Sequence, residues 1–159
     1  MGFSEFSEVT AKVVPGYGVA SGKSEDGRFP DGTLDLQIPI FNKLGLNLSN
    51  FYRGTLNLDL SPYSYRLAQP DYEFEKVKWS KFLPAENFSF YPCSVSTSCN
   101  SFSESFTGFV YWPHPSTKPE FHQDSNVIEV ILPFIPDIKY GVEVKIKALN
   151  ESISFSASF

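Results

Sequence analysis

Two polar residues stand side by side in a stretch of sequence that otherwise has the apolar pattern of a strand. Thr55 and Asn57 alternate with Leu56, Leu58 and Leu60, so a β-strand would place both polar side chains on the face opposite the leucines. A hydroxyl and an amide carbonyl are hard oxygen ligands, which suit Mg²⁺ held together with nucleotide phosphates. The spacing alone favours a plainer interpretation, in which the pair belongs to the water-facing side of an exposed strand.

A glycine-containing segment near the start of the chain is a second candidate. Val13-Val14 leads into Pro15-Gly16-Tyr17-Gly18 and then Val19-Ala20. A loop of small residues lets backbone N–H groups approach phosphate oxygens without obstruction by side chains. The segment lacks the lysine and the spacing of a P-loop, and no clear helical pattern follows it. It is therefore either a phosphate-binding loop or an ordinary turn, and the turn is the commoner use of such a sequence.

The third candidate is a carboxylate inside an apolar run. Glu129 interrupts the run from Val127 to Leu132, and burying an unpaired carboxylate is costly. The side chain therefore either faces water at the edge of a sheet, which the run alone favours, or meets a specific partner. Upstream, His114 and His122 are candidates for titration or metal binding, but nothing in the sequence pairs them with a nucleophile, and surface histidines are the favoured interpretation.

Short strands punctuated by Gly and Pro are expected to position these residues. Phe41 to Gly45 is expected to form a helical turn ending at the glycine, and no helical pattern longer than two turns is evident. We expect Ser96 to Ser105 to be a polar insertion, and the tail from Ser152 to Phe159 to add an edge strand. Alternation or continuous apolar character predicts the main strands at Val9–Val14, Leu34–Ile40, Thr55–Leu60, Tyr72–Trp79, Phe88–Val95, Phe106–Trp112, Val127–Leu132 and Val142–Lys147.

The fold class follows from the number and shortness of these strands. A length of 159 residues without an obvious linker predicts one domain covering residues 1–159. The 16 Phe and 8 Tyr against a single Met favour strands, because aromatic rings pack well on a pleated surface. We therefore predict a mainly β domain, either a closed barrel of about six strands with short helical turns or a sandwich. Leu56, Leu58 and Leu60 are predicted to point inward.

Charge and hydropathy restrict the classes of partner. A net charge of −5 gives no gain from counterion release, so nucleic acid is not an expected partner. No apolar run reaches the roughly 18 residues that span a bilayer, and the first residues lack the pattern of a secretory signal. We therefore expect a cytoplasmic protein, not bound to membranes, with a monomer favoured. Cys93 and Cys99 are expected to be two thiols, with a disulfide as the alternative.

The candidates occur in the order and approximate spacing of one known family. Lys43-Leu44-Gly45 followed by Gly54-Thr55-Leu56-Asn57-Leu58 resembles the LG…PGTLN signature of the archaeal-type, CTP-dependent riboflavin kinases, which are small cradle-loop barrel enzymes. The similarity extends from about Lys12 to Lys147. The other segments that resemble family patterns are Lys12 to Gly18, Phe90 to Cys93, Thr107 to Val110, Pro115 to Thr117, Glu129 to Pro133 and Gly141 to Ile146.

The resemblance implies an activity and a set of residue roles. The activity would be transfer of a phosphoryl group from a nucleotide, expected to be CTP, to riboflavin, which gives FMN. Thr55 and Asn57 would hold Mg²⁺, and Glu129 and Thr117 would contact the flavin. No catalytic side chain is implied. The nucleotide would bind at Gly16, Tyr17, Gly18, Val19 and Ala20.

Several departures from the family pattern keep a second function open. The glycine-rich loop continues with Val19-Ala20 where the family has Glu-Gly, and Arg53 replaces the proline before the GTLN motif. Thr117 and His122 are also more widely spaced than in the family. The alternative is a non-catalytic barrel of the same fold that binds a flavin, a nucleotide or a protein. The altered loop favours this alternative, whereas the intact Gly54–Asn57 motif favours the kinase.

Overall fold

The computed structural model describes residues 6–14, 33–52, 54–79, 85–99, 102–113, 126–135 and 138–157. This part of the chain contains nine strands and one helix. In chain order they are β1 (Phe6–Val14), α1 (Thr33–Lys43), β2 (Leu56–Asp59), β3 (Tyr63–Leu67), β4 (Tyr72–Val77), β5 (Glu86–Cys99), β6 (Phe102–Pro113), β7 (Val127–Ile131), β8 (Glu143–Leu149) and β9 (Ile153–Ala157).

Six of the strands form a closed ring of antiparallel neighbours. The order is β5-β6-β7-β2-β1-β8, and a further pairing of β8 with β5 closes it. The length of β5 makes the closure possible, because residues 86–90 pair with β4 while residues 94–96 pair with β8. β3 and β9 pair with each other in a separate two-stranded sheet. The expectation of a mainly β fold is confirmed.

The inner face of the ring encloses the larger apolar core. All six ring strands contribute to it, as the alternation of apolar residues along each strand requires. Leu58 and Leu60 are fully buried, and Leu56 is partly buried against the same core. The prediction that these leucines point inward is therefore confirmed. Fully burying one such side chain contributes about 1.5–3 kcal/mol to stability.

A second apolar core lies on the outer face of the ring, beneath helix α1. Ile38 and Phe41 of the helix pack against Phe88, Phe90 and other residues of the sheet. The Phe41 ring meets both phenylalanine rings edge-on, with centroids 5.0 Å from each. The helix thereby covers apolar surface that the ring cannot bury within itself.

The prediction of a strand from Leu34 to Ile40 is wrong, because these residues belong to the helix. Seven alternating residues fit a strand, but the buried side chains are Gln37, Ile38 and Phe41, which share one face at helical spacing. Leu36, apolar and part of the alternation, is 44% exposed. The helix also exceeds the two turns expected from the sequence. As predicted, it stops just before Gly45, whose φ of 110° suits glycine.

The long hairpin of β5 and β6 extends further than the sequence predicted. The segment from Ser96 to Ser105, expected to be a polar insertion, is largely a continuation of the two strands, with pairing that reaches Cys99 and Phe102. The strand was not recognised in the sequence because the segment is rich in polar serines. In the structure, the hydroxyl oxygens of Ser96 and Ser105 lie 3.0 Å apart across the hairpin. Cys93 and Cys99 are six positions apart on β5, about 20 Å, which is too far for a disulfide between them. Cys93 is a buried free thiol, as expected.

The two-stranded sheet contains one predicted strand and one missed strand. The tail forms β9 as expected, and it pairs with β3, which was not predicted. Tyr63, Tyr65 and Leu67 alternate with Ser64 and Arg66 and pack against the inner core, so the period-two signal was present.

The described part of the chain contains no helix with the length and apolar character that a membrane span requires.

The contact between β6 and β7 gives a stability prediction. A Cβ atom at Gly108 would lie 2.0 Å from the backbone oxygen of Ile131, so Gly108→Ala must push the two strands apart. We expect this substitution to lower the free energy of unfolding by more than about 2 kcal/mol, measured by urea denaturation. Thr107→Ala, at the exposed neighbouring position, should cost less than about 1 kcal/mol. Equal unfolding midpoints for the two variants would contradict the close approach.

Candidate functional site

The pairing of β2 with β7 brings together residues from two distant motifs. Asn57 lies opposite Glu129 in the ladder. Thr55, just before β2, donates its hydroxyl to Oε1 of Glu129 at 3.3 Å, although the two residues are 74 positions apart. All three side chains are partly buried. We call Thr55, Asn57 and Glu129 the oxygen cluster.

The oxygen cluster lies on the outer face of the ring. Leu58 of β2 and Ile128 and Val130 of β7 belong to the inner core, so Asn57 and Glu129, which alternate with them, must face the other way. Partial burial on this face gives the carboxylate a hydroxyl neighbour and an amide neighbour and still leaves access to water. The cluster therefore offers three oxygen-bearing side chains to a ligand.

The charge of Glu129 acts on two tyrosines, the buried Tyr111 and the partly buried Tyr65. Val110 pairs with Val130, which places the next β6 residue, Tyr111, alongside Glu129. Burial raises the pKa of Tyr111 well above its usual value, and the negative charges of Glu129 and Glu86 raise it further. Burial also raises the pKa of Tyr65, with a smaller contribution from Glu129. Both phenols therefore stay protonated at neutral pH and serve as neutral hydroxyl groups near the carboxylate.

Helix α1 reaches this region through a buried glutamine. The hydroxyl of Tyr111 donates to Oε1 of Gln37 at 2.6 Å, and Gln37 is fully buried. Its Nε2 has no hydrogen-bond partner among the described residues. Nearby, the fully buried Glu86 accepts a hydrogen bond from Nε1 of Trp79. Sequence reasoning missed these residues, and the available signal was a polar residue, Gln37, within an apolar run.

The remaining predicted site residues lie outside the described part of the chain. This holds for Thr117 and for the nucleotide-loop residues Gly16, Tyr17, Gly18, Val19 and Ala20. The last described residue before that loop is Val14, which pairs with Asn57. The strand leading into the predicted nucleotide loop therefore ends beside the oxygen cluster.

The donor set limits the kind of metal that the cluster suits. Among the described residues, no group of three or more His, Cys, Asp or Glu side chains could hold a metal ion. The oxygen cluster contains one carboxylate, one amide and one hydroxyl. Oxygen donors of this kind suit Mg²⁺, which keeps several waters and often shares its coordination with substrate phosphates. The residues present fit that use, with most ligands supplied by a phosphorylated substrate.

Comparison with known proteins does not assign the chain to a family. No protein-family model matches it, and no curated protein matches it significantly.

The buried contact between Tyr111 and Gln37 gives a prediction that depends on pH. Tyr111→Phe removes the hydroxyl donor and leaves the buried Oε1 of Gln37 without this hydrogen bond. The substitution should lower the free energy of unfolding by about 1–3 kcal/mol near pH 7. Urea denaturation measures this change. Tyr140→Phe is the matched control, because Tyr140 is 61% exposed and its substitution should be nearly neutral.

The same variant should change the alkaline behaviour. The pKa of Tyr111 is raised in the folded protein, so the unfolded chain ionises first, at about pH 10. Stability is therefore retained below that pH and lost as the pH rises above it. We expect the wild-type protein to lose stability more steeply above about pH 10 than Tyr111→Phe. Parallel pH dependences for the two proteins would contradict a buried, neutral phenol at this position.

Proposed function

We propose that this protein is a riboflavin kinase-like phosphotransferase and that its ring of strands is a cradle-loop barrel. It would transfer a phosphoryl group from a nucleotide, with CTP as the expected donor, to riboflavin. The observation that carries the proposal is the contact between Thr55 and Glu129. The family resemblance gives these residues to metal and flavin, two ligands that must meet for the reaction to occur. Their proximity supports one site for both.

The arrangement of strands supports separate approaches for the two substrates. β2 lies between β1 and β7 in the ring. The predicted nucleotide loop follows β1, whereas the predicted flavin contact lies on β7. A nucleotide reaching the cluster from the β1 side and a flavin from the β7 side would bring the phosphate chain and the hydroxyl together at Thr55 and Asn57.

The reaction needs little covalent participation by the protein. The 5′-hydroxyl oxygen of riboflavin would bond to the terminal phosphorus of the nucleotide, and the bond from that phosphorus to the bridging oxygen would break. The nucleoside diphosphate would leave with the electron pair of that bond, and the hydroxyl proton would pass to water. The protein's contribution is positioning and stabilisation of charge. Bound Mg²⁺ would neutralise phosphate charge. Thr55 and Asn57 would hold the metal, and Glu129 would accept a hydrogen bond that orients the flavin.

The second candidate is a non-catalytic barrel that binds a flavin or a nucleotide on the same face. Val19-Ala20 in place of Glu-Gly favours it, because the methyl group of Ala20, where the family has glycine, hinders close contact between backbone and phosphate. In this case the oxygen cluster would still serve to bind and orient a ligand.

The kinase proposal predicts nucleotide-dependent formation of FMN. The protein is incubated with riboflavin, Mg²⁺ and each nucleoside triphosphate in turn, and the products are separated by chromatography. We expect FMN with the wild-type protein, most rapidly with CTP. Thr55→Val should slow its formation by about 10²-fold, because it removes an oxygen that would position metal and phosphate. Thr10→Val, the same change at an exposed position of β1, should not alter the rate.

The alternatives give different results in this assay. Riboflavin binding without FMN formation from any nucleotide would contradict the kinase and support the binding barrel. Glu129→Gln should then still weaken riboflavin binding by about ten- to hundredfold, since it removes a charged hydrogen-bond acceptor. Absence of both binding and turnover would overturn both candidates.

A further inference from the structure

Two large aromatic side chains are exposed next to each other, one in the segment that precedes Thr55 and one in the segment that follows Glu129. Phe134 is 65% exposed and Tyr52 is 43% exposed. Their ring centroids are 5.7 Å apart, and the ring planes are inclined by 49°. The pair combines two segments that are distant in sequence. Adjacent exposed rings beside a polar cluster are typical of a ligand-binding surface, in which an apolar wall lies next to a few polar groups.

The two rings are attached directly to the segments that carry the cluster. Tyr52 precedes Thr55 by three residues, and Leu132 follows Glu129 by three. The backbone N–H of Tyr52 donates to the carbonyl oxygen of Leu132 at 3.0 Å, which joins the two segments. Phe134 follows Glu129 by five residues. Three residues span at most about 11 Å and five at most about 18 Å, which bounds the backbone distances of Tyr52 from Thr55 and of Phe134 from Glu129.

The segment carrying Tyr52 is held in place before any ligand binds. The neighbouring Phe51 ring packs against Phe109 of β6 with centroids 6.2 Å apart, and the backbone N–H of Phe51 donates to the carbonyl oxygen of Leu48. A fixed aromatic surface loses little conformational entropy on binding. This favours a role in recognition.

We infer that Tyr52 and Phe134 form the surface on which the isoalloxazine ring of riboflavin stacks. Phe134 lies on the continuation of β7, the strand that carries the predicted flavin contact Glu129, whereas the predicted nucleotide loop follows β1 on the other side of β2. The flavin ring lies against the exposed faces of the pair. It does not enter between the rings, because two stacking contacts of at least 3.5 Å need about 7 Å.

This inference rests on the proposed function and deepens it. With the tricyclic ring on Tyr52 and Phe134, the ribityl chain runs back toward the oxygen cluster. The reactive 5′-hydroxyl then reaches Thr55 and Asn57, where the phosphate is expected. The aromatic pair therefore binds the flavin ring and selects for it, and the cluster positions the reacting end.

Titration of riboflavin fluorescence against the protein tests the inference. The variants are Phe134→Leu, Tyr52→Leu and the double variant, each checked for folding by urea denaturation. The dissociation constant of riboflavin should rise about tenfold or more in the double variant, the size of one aromatic stacking contact. Phe6→Leu is the matched control, because Phe6 is 46% exposed but lies at the far end of β1 from Val14, and its substitution should leave binding unchanged.

Calorimetric titration with CTP and Mg²⁺ separates the flavin ring from a nucleobase. The double variant should bind CTP as the wild-type protein does. Weakened CTP binding with unchanged riboflavin binding would overturn the assignment, because the pair would then hold the base. Unchanged binding of both ligands would overturn it as well and leave the proposed function standing. Failure of the wild-type protein to bind riboflavin would instead overturn the proposed function, and the inference with it.

Discussion

The pairing of β2 with β7 is the constraint on which the other features depend. β2 has only four residues, yet it pairs with β1 on one side and β7 on the other, so without it the ring would be open. The same register places Asn57 opposite Glu129 and Thr55 within hydrogen-bonding distance of it. A slip of one residue would turn Leu58 outward and the polar residues into the core. Burial of the leucines therefore fixes the geometry of the cluster.

The outer core makes the oxygen cluster part of a supported surface. Helix α1 covers the faces of β5 and β6 with Ile38 and Phe41, and the hydrogen bond from Tyr111 to Gln37 ties the helix to the strand beside Glu129. The polar residues thus lie at the boundary between a buried aromatic layer and water. Packing and the hydrogen bond hold the neighbours of the carboxylate in fixed positions.

The sequence predicted the parts of the fold that local alternation controls. The strand through Leu58 was clear because one face had to be buried. The apolar run around Glu129 alone favoured a carboxylate facing water at a sheet edge, whereas β7 lies between β6 and β2 and Glu129 is partly buried. Helix α1 was not predictable in this way, because seven alternating residues favoured a strand. Only packing against Phe88 and Phe90 makes the helix the stable structure. The contact between Thr55 and Glu129 was not predicted, because strand order is set by long-range pairing that local patterns do not show. The family resemblance implied only that both residues serve the same reaction.

The most direct test of a shared metal and substrate site between β2 and β7 uses Mn²⁺ as a paramagnetic substitute for Mg²⁺. Mn²⁺ is titrated into the ¹⁵N-labelled protein in the presence of CTP, and the backbone amide signals are followed by NMR. Signals of Thr55, Asn57 and Glu129 should broaden first, while those of Phe6 and Leu149, paired at the far end of β1, remain sharp. Broadening centred on another acidic surface, with these three signals unaffected, would contradict a metal site at the oxygen cluster.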